Sequence, residues 1–591
     1  MIKKLHMSLL TKLTVGVLLA WGIIFVTGCA KDAKQNITED TGEGTRVVIR
    51  VEGINNGQGE PALKGKVGGS TASSAAATAS FVEAEGFDVF VSQQQTIEKY
   101  PKRKAARTAS ASSAGALRGA AMEEGISYRV FLYENGALAA SALLTSGTQG
   151  SIAVEKGKTY QWAALSYNSI DEVPAADGDN LVQLLDGQDV LYASGNFTVA
   201  NDDGDVAVPL NITFDHRLSR VAIELNTMGM FAPIISANVK VTGLNLAPEA
   251  IDIKTGDLVG DTQQEATIAF GDFSPINDEG DRMVAYAYVG GRASEKMTVS
   301  VSNLVVRLVN NTPRSFGDVT LTQEFLPQPG MNQSVVLGFI ESPLWKGGVA
   351  WARANLYYQE GHNPYRFHHL NAQEPTFNGY FSFGGHIPGR WADADNPIDP
   401  CSLVYPAGRW KQPSLADIDH LTGGWGMMGY LFTMPAAVEA PGAIQGFGYI
   451  EYQADAGVSS AYGTPSSATN RLRFNFNGAG RPVNLISNGY QAVNLEGSYL
   501  LNASVWTSEA DMDLLGLSGL AAWSYEAGNR QLSLGTDPVR PVANNTAGLL
   551  NNVNIVDEGI ISSMLRNVRC VRDGAWDPDA PGYDPYPVFP N

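Results

Sequence analysis

Short, largely apolar β-type runs recur along much of this chain, separated by Gly, Asn and Asp. Val47-Val48-Ile49-Arg50-Val51, Tyr128-Arg129-Val130-Phe131-Leu132-Tyr133, Tyr160-Gln161-Trp162-Ala163-Ala164-Leu165 and Val221-Ala222-Ile223-Glu224-Leu225 are examples, and further runs lie at 237–241, 283–289 and 297–308. Each reads as a β-strand. Long helical periodicity is nearly absent, so the pattern predicts β-sandwiches. Residues 68–80 and 105–121 are rich in Ala, Ser and Gly with no apolar stripe to bury, and are expected as mobile loops. At Leu344 the texture changes: eight of the ten Trp follow this point, in Gly-rich, irregular sequence. A separate domain is expected over 344–591, and the region before it is long enough for two sandwiches, 44–224 and 225–340.

The chain opens Met1-Ile2-Lys3-Lys4, followed by an apolar run over 13–26, then Val26-Thr27-Gly28-Cys29 and the polar Ala30-Lys31-Asp32. A positive start, a short apolar stretch and small residues before the cut predict a signal peptide over 1–28. The run of about 14 residues is shorter than the roughly 20 that a spanning helix needs. The setting of Cys29 resembles the bacterial lipobox, where signal peptidase II cleaves before a diacylglyceryl cysteine. Acyl chains bury CH₂ groups at about 0.8 kcal/mol each and hold a folded domain on a membrane. Residues 29–43 then form a polar linker, and the expected location is the outer membrane, exposed at the cell surface. An ordinary secretory signal ending in an unmodified Cys is the alternative.

At 591 residues, 44% hydrophobic and 17% charged, the composition is that of globular domains and excludes disorder of the whole chain. The 41 basic and 60 acidic residues give a net charge of -19, which repels nucleic acid. Only Cys401 and Cys570 remain after Cys29. In an exported protein they are expected to pair, with two unrelated buried thiols as the alternative. Closing a loop of roughly 170 residues stabilises by roughly 4–5 kcal/mol in the chain-entropy model, before strain is subtracted.

The order Tyr128-Arg129-Val130-Phe131-Leu132-Tyr133, Gly157-Lys158-Thr159-Tyr160-Gln161-Trp162, Ser166-Tyr167-Asn168-Ser169 and Ile212-Thr213-Phe214-Asp215-His216-Arg217-Leu218-Ser219-Arg220-Val221 resembles the fimbrillin family of Bacteroidales over about half the chain. The tail resembles the Fibrobacter succinogenes major paralogous domain, a C-type-lectin-like module. That likeness rests on Val349-Ala350-Trp351-Ala352-Arg353-Ala354-Asn355-Leu356-Tyr357-Tyr358, Asp399-Pro400-Cys401, Gly408-Arg409-Trp410-Lys411-Gln412-Pro413 and Asn567-Val568-Arg569-Cys570-Val571-Arg572-Asp573. Together they imply a mainly β chain: two tandem Greek-key β-sandwiches of fimbrillin type followed by an α+β C-type-lectin-like domain.

The fimbrillin resemblance implies delivery as a lipidated precursor, cleavage by an Arg-specific protease after an early strand, and completion of the freed groove by a strand from another subunit. An unpaired sheet edge accepts such a strand through its open N–H and C=O groups. Lys102-Arg103-Lys104-Ala105-Ala106-Arg107 lies in a polar stretch before Tyr128, so Arg107 is the expected cut, with Arg103 and Arg118 behind it. A solvated basic loop is the alternative. The chain ends Asp577-Pro578-Asp579-Ala580-Pro581-Gly582-Tyr583-Asp584-Pro585-Tyr586-Pro587, where repeated Pro removes ladder donors. A subunit at one end of a polymer is therefore expected.

Catalytic patterns are not found. His362, His368, His369 and His386 lie close in sequence but lack a His-Glu-x-x-His spacing, and a polar surface loop is expected there. Ser518 lacks the Gly-x-Ser-x-Gly elbow. No metal site and no cofactor are assigned. Calcium is the one ion offered oxygen ligands, at Asn201-Asp202-Asp203-Gly204-Asp205 and Asp393-Ala394-Asp395-Asn396, and turn formation explains both. C-type lectins bind sugar through Glu-Pro-Asn or Gln-Pro-Asp, whereas this chain has Glu374-Pro375-Thr376 and Gln412-Pro413-Ser414. The expected function is non-enzymatic: a fimbrial tip or accessory adhesin. Its partners would be other fimbrial subunits, a host, bacterial or glycan surface ligand, and the outer membrane through its lipid. A surface glycan-binding lipoprotein that never polymerises is the alternative. Replacing Cys29 with Ala is expected to abolish incorporation of labelled palmitate; labelling that persists in C29A would refute lipidation at this residue.

Overall fold

The computed structural model describes residues 44–55, most of 78–96 and of 121–422, and shorter runs after 437 that include 449–455, 471–482, 502–511, 521–528 and most of 565–589. It is mainly β, with sandwich-like sheets. In chain order the strands begin β1 (Arg46–Asn55), β2 (Thr78–Ala84), β3 (Phe87–Thr96), β4 (Ser127–Glu134), β5 (Ala137–Thr145), β6 (Gly150–Ala153) and β7 (Thr159–Ser166). They continue as β8 (Leu181–Gln183), β9 (Leu191–Thr198), β10 (Ala207–His216), β11 (Ser219–Gly229), β12 (Ile234–Thr242), β13 (Ala250–Asp252) and β14 (Leu258–Val259). Then follow β15 (Glu265–Ile268), β16 (Ser274–Pro275), β17 (Arg282–Val289), β18 (Glu295–Arg307), β19 (Pro313–Ser315), β20 (Val319–Phe325) and β21 (Asn332–Glu341).

Seven strands form one sheet in the order β5-β4-β7-β9-β10-β1-β6. This sheet is rolled, and its edges β5 and β6 approach until a Cβ added at Gly150 would lie 2.7 Å from the Leu144 side chain. Val47, Ile49, Tyr128, Val130, Leu132, Trp162, Ile212 and Phe214 fill the inside. Gly195 of β9 leaves room for Trp162, whose indole nitrogen would be 2.9 Å from an added Cβ. The outer face of β4 and β7 is covered too, where Phe131, Tyr133, Ala163 and Leu165 pack with Val182 of β8 and Ile251 of β13. Burial on both faces explains why residues 128–133 read as a nearly continuous apolar run.

Only Arg217 and Leu218 separate β10 from β11, so the chain steps directly into a second unit. There a sheet ordered β16-β17-β11-β21-β3-β2 faces one ordered β15-β12-β18-β19, with β20 also paired to β18. Phe87, Val89, Val221, Ile223, Val239, Val299 and Leu337 are among the residues packed between them. In the rolled sheet and in the β11 sheet one pairing each is parallel, β1 with β10 and β11 with β21.

The seven apolar runs expected as strands fall in β1, β4, β7, β11, β12, β17 and β18. Two features differ from the expectation. Residues 78–80, read as the end of a mobile loop, open β2, because pairing with β3 supplies the hydrogen bonds that their small side chains do not promise. The hairpin β2–β3 precedes residue 224 in sequence yet pairs with β21 in the second unit, and β11 runs unbroken through 224 and 225.

Beyond residue 343 smaller sheets surround two apolar clusters. Leu344–Lys346, Val349–Trp351, Val571–Arg572 and Trp410–Lys411 form one sheet in that order. Trp351, Tyr452, Phe474 and Tyr525 fill one cluster. Phe367, Trp410, Trp506 and the bonded pair Cys401–Cys570 fill the other. The α-helix of the described residues, α1 (Leu415–Thr422), is capped by Ser414, whose hydroxyl accepts from the Asp417 amide at 3.1 Å while Asp417 accepts from the Ser414 amide at 2.7 Å. The double variant C401A/C570A is expected to lose about 2–5 kcal/mol of stability in urea unfolding; an unchanged midpoint would overturn this.

Candidate functional site

Two features have functional geometry: the slot that holds β1, and the seam between the second unit and the C-terminal region. β1 alternates Val47 and Ile49 inward with Arg46 and Val48 less buried, then shifts register between Val51 and Gly53 and buries Ile54. It lies parallel to β10 from Arg46↔Ala207 to Asn55↔Asp215. On its other side β6 covers only the first four residues, from Arg46↔Ala153 to Ile49↔Gly150. Burial of Val47, Ile49 and Ile54 contributes roughly 1.5–3 kcal/mol each. Among the described residues, the outer edge of β1 beyond Ile49 has no ladder partner.

The seam follows from period-two alternation in the second unit. Val221, Ile223 and Leu225 of β11 and Phe87, Val89 and Val91 of β3 face the sandwich core. Successive strand residues point to opposite faces, so Glu224, Asn226, Asp88 and Phe90 face outward. In a free sheet they would meet water, yet all four are buried, because the C-terminal region covers this face. Arg572 Nη2 donates to Asp88 at 2.7 Å and to the Glu341 carbonyl at 2.6 Å, and the guanidinium lies 4.0 Å over the Trp410 ring. Arg282 grips Glu224 with Nε and Nη2 at 2.7 and 3.1 Å. Asn226 Nδ2 donates to the hydroxyls of Tyr405 and Tyr586 at 3.1 and 3.2 Å. Gly338 of β21 admits this contact, since an added Cβ would meet Tyr405 Oη at 3.1 Å.

The tail returns over the same face. Phe90 meets Trp576 and Tyr583 edge-on, and Arg409 lies 4.5 Å from the Phe81 ring centre and 4.7 Å from that of Trp576. The Ala407 amide donates to the Pro585 carbonyl at 2.9 Å, and Phe589 stacks on Tyr365. The prolines that deny the tail ladder donors leave its carbonyls free to accept, as Pro585 does.

Burial pushes Asp88 up to about 6 against the pull of Arg572, and lowers Arg572 to about 9. Shared desolvation outweighs their attraction in both, yet the pair stays charged at neutral pH. Burial also pushes Glu341 up to about 7, although Arg353 lies 3.9 Å away.

Of the residues singled out in sequence, Cys29, Arg103, Arg107, Arg118, His368, His369, Ser518, 374–376 and 393–396 lie outside the described residues. Cys401 and Cys570 are brought together and bonded. His362 engages Asp281 at 2.9 Å, and His386 is half-buried. Among the described residues no group of three or more His, Cys, Asp or Glu is placed to hold a metal. Lys156 donates to the Asp202 carbonyl at 2.9 Å and also to the Gly204 carbonyl, putting a cation of the protein's own into that turn. Gln412-Pro413-Ser414 leads into α1, with the Gln412 amide donating to Asp399 at 2.8 Å. Sequence reading missed Asp88, Phe90 and Asn226; their one signal is polar or aromatic residues at outward positions of strands with an apolar inward face.

No protein-family model matches this chain, and no curated protein matches it. Among solved structures it is similar to a candidate cell adhesion protein of Bacteroides fragilis, at 16% identity and TM-score 0.26, covering 36% of this chain and 81% of that one. A candidate cell adhesion protein of Bacteroides ovatus gives 16% identity and TM-score 0.24, with the same coverages, 36% and 81%. The fimbrial anchor protein Mfa2 of Porphyromonas gingivalis gives 13% identity and TM-score 0.21, covering 32% and 73%. At these values the likenesses carry no role over to this chain, whose own residues must do so.

Glu341, raised from 4.5 to about 7 on folding, contributes stability that is complete below pH 4.5 and lost as pH rises through 7. The variant E341Q is expected to show a flatter dependence of urea stability on pH across this window than the parent protein; parallel curves would contradict the assignment.

Proposed function

We propose that this chain is a cell-surface fimbrial subunit of fimbrillin type, a tip or accessory adhesin built from two sandwich units and a C-type-lectin-like domain. Cys29 carries the lipid that delivers it to the outer membrane, and a cut after Arg107, with Arg103 and Arg118 as further positions, opens it for assembly. The observation that carries this proposal is the placement of β1. The first described strand fills a slot between β10 and β6, its pairing with β10 is the parallel one in an otherwise antiparallel sheet, and β6 covers less than half its length. An incoming strand that reproduces the Val47, Ile49 and Ile54 contacts completes the same ladder. The seam supports the second part of the proposal: it fixes the C-terminal region on the sandwich through buried ion pairs and ring contacts, so a ligand-contacting domain is held at a set angle.

The test is N-terminal sequencing of the surface-exposed protein, combined with electrophoresis of unheated surface extracts. A start just after Arg107 with a ladder of heteropolymers is expected. A start at Cys29 alone, with no polymer, would replace the proposal by the non-polymerising glycan-binding lipoprotein.

A further inference from the structure

We infer that a cut between β3 and β4 yields two chains that stay together, with the hairpin β2–β3 as the joint. This deepens the proposal above and rests on its maturation cut. Arg103, Arg107 and Arg118 all follow Thr96, the last residue of β3. The N-terminal piece therefore holds β1 and the whole hairpin, along with Cys29.

Those two parts are seated in different units. Among the described residues, β1 pairs with β10 and β6 of the rolled sheet. The hairpin is built into the second unit, where β3 pairs with β21 from Phe87↔Glu341 to Thr96↔Asn332. Phe87, Val89 and Val91 are fully buried in the sandwich core. On the outer face Asp88 meets Arg572, Phe81 meets Arg409, and Phe90 meets Trp576 and Tyr583. The hairpin is thus gripped on both faces, by the sandwich and by the C-terminal region. An incoming strand that displaces β1 competes for none of these contacts. Cleavage and exchange open the β1 slot while the hairpin keeps the N-terminal piece, and with it the proposed lipid, on the rest of the molecule. The partner of this hairpin after cleavage is the protein's own C-terminal piece, which keeps the proposed lipid with the cut subunit.

The experiment uses the full-length lipidated protein in detergent, with a recognition sequence for a site-specific protease inserted after Arg107. After complete cleavage, gel filtration is expected to show both pieces in one peak in native buffer and in two peaks in guanidinium chloride. A free N-terminal piece in native buffer overturns the inference. D88N, which breaks the buried ion pair, is expected to raise the dissociation constant of the piece roughly 100-fold, and a constant unmoved by D88N overturns the part assigned to that pair. I49E, which loosens β1, is expected to leave the piece bound, and its release would show β1 to be the joint. Because cleavage is done in vitro, release of the piece refutes retention whatever the cell does. An uncut chain on cells refutes the maturation cut and not the grip of the hairpin.

Discussion

A guanidinium withdrawn from water must be met by acceptors, and Arg572 is met by the Asp88 carboxylate and the Glu341 carbonyl, with the Trp410 ring beneath it. These partners offset only part of the cost of removing the charges from water, and that offset needs all of them in place. Arg572 belongs to the C-terminal region, Asp88 to an early hairpin and Glu341 to the last strand of the second unit. Three distant segments of chain are therefore positioned by one desolvated charge. The Glu224–Arg282 pair and the Asn226 bonds to Tyr405 and Tyr586 extend the same polar layer along β11.

The segment 567–573, which carries Arg572, also organises the C-terminal region around it. Asn567 donates to the Gly379 carbonyl at 2.8 Å. Arg569, fully buried, donates to Asn355 and to the carbonyls of Ala352 and Arg473. Cys570 is bonded to Cys401, and Asp573 pairs with Lys411 at 3.1 Å. Residues of this one segment thus reach several parts of the C-terminal region, and Arg572 meets the second unit. These bonds tie the C-terminal region together, and Arg572 ties it to the second unit.

The two early segments sit differently. β1 has one covered flank and one half-covered flank within the rolled sheet, whereas β3 is buried on both faces over Phe87–Val91. Chain order places them next to each other, and tertiary packing assigns them to separate cores. Exchange of one and retention of the other are compatible for that reason.

The sequence by itself determined the mainly β character, because short apolar runs bounded by turn residues are a local property that survives without knowledge of partners. Residues 47–51, 128–133, 160–165 and 221–225 all lie in strands as their patterns require. The pairing of Cys401 with Cys570 was also legible, since after Cys29 no other Cys remained to choose from. The candidate site was legible only in part: Val47 and Ile49 carry the pattern of a strand, but nothing in them shows that β10 and β6 flank it. Tertiary structure alone decided that residues 78–96 serve the second unit, that the outward faces of β3 and β11 are buried, and that the proline-rich tail lies across them. The physical reason is that sheet pairing and face-covering join residues hundreds of positions apart, and a residue such as Asp88 or Asn226 looks like an ordinary solvated polar group until the segment that covers it is in place.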